Sequence, residues 1–110
     1  MARRRQIVLF REGARAGESE PLGSVGELAR LCAGYNIAPD GSGPEGYGEA
    51  LGMAMFYGPG LVMEVPNTGE DARQAIVTLT DEDFAWAVLG KMCKHEKLKM
   101  MDPETGRTFG

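Results

Sequence analysis

Hydrophobic patterning is sharpest over residues 75–101, where an apolar run, a helix with signals at both ends and a second short apolar run follow one another. Ala75-Ile76-Val77-Thr78-Leu79 is rich in β-branched residues and contains no breaker, which predicts a strand. Thr80 stands at the expected N-cap, with Asp83 three residues on in a shortened capping box and an acidic first turn, Asp81-Glu82-Asp83. Lys91, Lys94, His95 and Lys97 mark the other end, so side-chain charge opposes the helix macrodipole at both termini of a helix over 81–96. Phe84, Val88 and Met92 form one column of its apolar stripe and Ala85, Leu89 and Cys93 the other. Trp86 falls on the margin, and Gly90 one turn later leaves room beside it. Leu98-Lys99-Met100-Met101 then reads as a strand. Asp102-Pro103 opens a turn, Gly106 supplies a left-handed residue, and Thr108-Phe109 returns to pair with Met100-Met101.

The earlier part of the chain carries the same two periodicities. Ile7-Val8-Leu9-Phe10 is a first strand, and residues 11–23 read as a polar loop. Ser24 and Glu27 form a capping box ahead of Val25, Leu28, Ala29 and Cys32 at helical spacing, with Gly34 placed as a left-handed C-cap. Half of the 16 glycines lie between Gly34 and Gly60, and the Gly/Pro-rich stretch 38–48 reads as a flexible loop. Residues 51–57 and 61–65 are two apolar runs joined by Gly58-Pro59-Gly60, a hairpin signal, although Ala50, Leu51, Met53, Ala54 and Met55 also suit a helix. Residues 66–73 form another polar loop.

The element order is therefore β-α-β-β-β-α-β over a single domain, 1–110, with a C-terminal turn and tail at 102–110. Short connections between successive strands predict antiparallel pairing. The expected fold is α+β: a mostly antiparallel sheet with two helices on one face, a ferredoxin-like sandwich variant. That name follows from element order alone and implies no function.

Composition narrows the function classes. Hydrophobic and charged contents of 43% and 25% are those of an ordinary globular domain, and the net charge of −4 argues against a nucleic-acid binder. Arg3-Arg4-Arg5 is the one basic run and reads as a solvated tag. The apolar stretch after it is too short for a secretory signal or a membrane span, which predicts a cytoplasmic protein that does not engage membranes. Cys32 and Cys93 both fall on apolar helix faces and are expected to be buried, reduced and unliganded.

No catalytic, cofactor or metal motif emerges. His95 and Cys93 are two residues apart on a helix, about 200° around its axis, so they diverge rather than chelate. Gly41-Ser42-Gly43 lacks the frame of a nucleophile elbow, and Gly46-Tyr47-Gly48 with Gly52 follows no strand, as a dinucleotide loop would. The acids 81–83 have a sufficient role in capping, and Glu70 and Asp71 have no identifiable partner.

One feature goes beyond a bland core. Val8, Phe10, Val62, Ile76 and Met101 alternate with the core-facing strand positions, so the sheet presents a second apolar face that two helices cannot also cover. A second copy of the chain, or the 38–48 segment folded over, would cover it. Trp86 joins these five as a contact candidate, because tryptophan is enriched at binding hot spots. The sequence thus points to a non-catalytic homodimer with room for a protein or small-ligand contact. The alternative is a small enzyme with a site at the subunit interface, built from Tyr35, Tyr47, Tyr57, His95 or Arg107.

Overall fold

A computed structural model describes residues 5–13, 19–39, 53–66 and 71–109. Arg3, Arg4, Leu51, Glu70 and the segment 40–48 with Ser42 and Tyr47 lie outside the described residues. The elements are β1 (Gln6–Glu12), β2 (Ser19–Glu20), α1 (Val25–Ala33), β3 (Ala38–Pro39), β4 (Met53–Gly58), β5 (Leu61–Pro66), β6 (Gln74–Leu79), α2 (Glu82–Glu96), β7 (Lys99–Met101) and β8 (Thr108–Phe109). All strand pairs are antiparallel, in the order β3-β4-β5-β6-β1-β7-β8, with β2 folded back on the end of β1. The described residues form a small α+β domain, with one antiparallel sheet and two helices among them.

Pairing explains why residues 53–58 adopt the strand rather than the helix. Ala54 and Phe56 point into the core opposite Val65 and Met63, while Met55 and Tyr57 point the other way, a period of two that a helix would scramble. Gly58 and Leu61 close the hairpin around Pro59-Gly60, and Gly60 has φ +72°. The β6-α2-β7 passage is the long-range one. Both strands pair with β1, so the first strand of the chain ends in the middle of the sheet.

The core is a single cluster. Ile7 and Leu9 of β1, Phe56, Met63, Val65, Val77 and Met100 join Val25, Leu28 and Cys32 of α1 and Ala85, Leu89, Met92 and Cys93 of α2, all at most 8% exposed. Burying apolar side chains of this size contributes roughly 1.5–3 kcal/mol each. The box at the start of α1 is complete: Ser24 Oγ accepts from Glu27 N, and Glu27 Oε1 accepts from Ser24 N, both at 3.1 Å.

Five local expectations shift. The N-cap of α2 is Asp81 rather than Thr80, because Thr80 N and Asp81 N both donate to Gly60 O, which leaves the Asp81 carboxylate to accept from Phe84 N. Gly34 stays right-handed at φ −67°, and Asn36 at φ 63° takes the left-handed position, since Tyr35 N and Ile37 N both reach back to Cys32 O. Phe84 is 64% exposed rather than in the stripe, whose arc is centred on Ala85, Leu89, Met92 and Cys93. Strand pairing also extends past the apolar runs. Arg11 and Glu12 continue β1 against Ser19 and Glu20, within the expected loop 11–23. Ala38 and Pro39, expected in the flexible loop, add β3 to the edge of β4.

Candidate functional site

The outer side of the sheet is built by register. Glu64, Ile76, Val8, Met101 and Thr108 form one row across β5, β6, β1, β7 and β8, and Met55 extends it onto β4. Tyr57, Val62, Thr78 and Gln6 form a second row, and Gln74, Phe10 and Lys99 part of a third. Val8, Phe10, Val62, Ile76 and Met101 are all half-buried and share this face, as their alternation predicts. The face is not apolar throughout, however. Gln6, Glu64, Gln74 and Thr78 interrupt it, and Gln6 Nε2 donates to Thr78 Oγ1 at 3.3 Å.

Trp86 stands apart from the other five candidates, on α2, packed against the core. It lies 5.7 Å from the ring of Phe109, whose register partner Met100 is buried. The guanidinium of Arg5 sits 5.4 Å above its ring, and its Nε1 donates to Glu82 Oε1 at 3.3 Å. Arg5 also pairs with Glu82 Oε1 at 3.6 Å and with Asp102 Oδ2 at 3.3 Å. Beside this group, Arg5, Trp86, Asp102, Thr105, Arg107 and Phe109 line a cleft of about 400 Å³. The turn that forms its floor is wired internally. Asp102 Oδ1 accepts from Glu104 N, Asp102 O from Gly106 N, Thr105 Oγ1 from Arg107 N, and Arg107 O from Asp102 N. Trp86 and Arg107 are unconnected along the sequence, because their junction is made by β8 returning beside α2.

The other polar candidates do not converge. Tyr35 and His95 approach, with ring centroids 6.5 Å apart, and Tyr35 Oη donates to Glu96 Oε2 at 2.8 Å. That hydrogen bond, then desolvation and the Glu96 charge, raises the Tyr35 pKa, which keeps the phenol protonated and makes it harder to ionise rather than activated. Arg11 Nη1 caps the same helix end by donating to Glu96 O. Tyr57 lies on the outer face and Arg107 in the cleft beside Trp86. The acids at the start of α2 are engaged structurally, Asp81 as the cap and Glu82 with Arg5 and Trp86. Burial pushes the Cys32 thiol up to about 12 and that of Cys93 to about 11, so neither is activated as a nucleophile. Among the described residues, no three His, Cys, Asp or Glu side chains gather as a metal set, and no helix is long and apolar enough to cross a membrane.

Comparison of the chain with protein-family models, with curated proteins and with solved structures returned no match.

Proposed function

We propose that this protein is a non-catalytic cytoplasmic interaction domain that works as a homodimer, two copies meeting through the outer face of the sheet. The observation that carries the reading is the central row, in which Ile76, Val8 and Met101 lie side by side across three adjacent strands and stay half-buried. The reading treats the domain as a ferredoxin-like sandwich variant with both helices on the side away from the partner. The strand order β5-β6-β1-β7 and the joint burial of α1 and α2 with Ile7, Leu9 and Val77 support it.

Area favours a second copy as the occupant. At about 4.8 Å between strands and about 3.4 Å per residue, five strands and three rows span roughly 500 Å². Two such faces in contact bury on the order of 1,000–1,200 Å², enough for a specific but modest interface. An isologous contact uses the same patch twice, and its polar positions temper the gain from burial: Gln6 donates one hydrogen bond to Thr78, Gln74 and Lys99 lie in the end row, and Glu64, between Met55 and Ile76, needs water or a polar partner across the contact. The two free buried thiols accord with a reducing compartment.

Sedimentation velocity across a micromolar dilution series tests the proposal. The wild-type chain should sediment as a dimer, and Ile76→Lys as a monomer with unchanged circular dichroism, because the new ammonium would be stranded in the centre of the contact. A wild-type protein that is monomeric throughout overturns the reading.

A further inference from the structure

The cleft beside Trp86 combines features that the dimer does not use, and we propose that it is a binding site for a small planar aromatic carboxylate. Trp86 and Phe109 provide an aromatic wall, tilted by 54° to one another, against which a flat ring packs by edge-to-face or offset contact. The opening of about 400 Å³ is larger than an ion requires and of a size for one or two fused rings.

Arg5 and Arg107 balance Glu82 and Asp102 in sum, so an anion is favoured by the placement of charge rather than by its total. Arg5 is held between Glu82 and Asp102, and both oxygens of Asp102 are engaged, one by Arg5 and one by Glu104 N. Arg107 is left as the cation of the cleft with no ion pair among the described residues. Its planar fork matches a carboxylate held by two parallel hydrogen bonds. The Thr105 hydroxyl, which accepts from Arg107 N, keeps its own proton to donate.

A phosphate is a poorer match. The backbone N–H groups of Glu104, Gly106 and Arg107 are all turned inward to Asp102 or Thr105, so the turn offers none of the cradle that phosphate sites draw from consecutive amides. One accessible guanidinium beside two aromatic rings suits an aryl carboxylate.

Trp86 is the single tryptophan of the chain, so its indole N–H gives one resolvable resonance that reports directly on the cleft. Titrating isotope-labelled protein with β-naphthoate should shift that resonance saturably, with a dissociation constant around 1 mM or below for a ligand of this size. Arg107→Ala should weaken binding by about tenfold or more, with Arg107→Lys in between, since a charge-assisted pair is lost. Phe109→Ala should also weaken it. Dispersed backbone resonances in each variant would show that the fold is intact. Two results overturn the proposal: an indole resonance that does not move up to about 5 mM β-naphthoate, or β-naphthylmethanol and Arg107→Ala giving the same affinity as the carboxylate and the wild type. The cleft shares Thr108 with the outer face of the sheet, whereas the residues varied and read, Arg107, Phe109 and Trp86, are not among the outer-face rows, so the titration and the sedimentation test fail separately.

Discussion

Two left-handed glycines, Gly60 at φ +72° and Gly106 at φ +75°, separate backbone strain from packing. A Cβ at Gly106 would meet nothing within 4 Å, whereas one at Gly60 would collide with the Asp81 carbonyl oxygen and lie 3.1 Å from Ala85 N, both in the first turn of α2. The β4–β5 turn cannot retreat, because Gly60 O accepts from Thr80 N at 2.8 Å and from Asp81 N at 3.0 Å. Forcing an alanine into the left-handed region costs roughly 1–2 kcal/mol, partly offset by about 0.4–1 kcal/mol from a stiffer unfolded chain. Gly106→Ala should therefore destabilise by about 0.5–1 kcal/mol. Gly60→Ala adds an overpacking term of about 1–3 kcal/mol, for a total of about 2–4 kcal/mol, a large share of the 5–15 kcal/mol typical of a domain. At about 4–8 °C per kcal/mol, the first variant should melt a few degrees low and the second at least about 10 °C low. Asparagine isolates the cause. It tolerates positive φ, so Gly106→Asn should be nearly neutral, while Gly60→Asn carries the same Cβ and stays strongly destabilised. Thermal and urea melts followed by circular dichroism read all four variants. Equal mildness of the two asparagine variants would refute the seating of the hairpin turn against α2.

Gly90 is exposed in the middle of α2 with open space where a Cβ would go, so Gly90→Ala should raise stability by about 1 kcal/mol, read as a higher urea midpoint. Ser24→Ala removes the cap of α1 and should cost about 1 kcal/mol by the same measurement, with Ser24→Gly milder. For the thiols, the folded pKa values of about 12 for Cys32 and about 11 for Cys93 stand above the 9.0 of a free thiol. Below pH 9 both states are protonated and the contribution is whole. As pH rises past 9 towards 11 and 12, the unfolded chain gains thiolates that the fold resists, and this stability is lost. The native protein should accordingly resist a thiol reagent at about pH 8 and label fully on adding denaturant, and fast native labelling would contradict the burial.

Local signals were legible wherever one residue type answers one backbone need. Ser24 and Glu27 cap α1, Pro59-Gly60 turn the hairpin, and Asp102 and Gly106 bound the final turn. The alternation of Ile7 and Leu9 with Val8 and Phe10 likewise determined both faces of β1, since strand side chains alternate whatever the neighbours. Three decisions belonged to tertiary structure. Residues 53–58 suited either a helix or a strand until β5 paired with them. Thr80 was displaced as cap by Asp81 because the distant Gly60 carbonyl claimed both backbone N–H groups. Periodicity puts Phe84 in the apolar stripe of α2 and Trp86 on its margin, yet Trp86 packs on Phe109 and carries Arg5 while Phe84 faces solvent. The difference lies in β8, which follows α2 only after β7 and the final turn and reaches Trp86 only because β7 pairs with it on the free side of β1. Capping, turning and alternation are satisfied within a few residues and can be read from them. Which apolar side chain acquires a partner depends on contacts between distant segments, and these exist only once the sheet has formed.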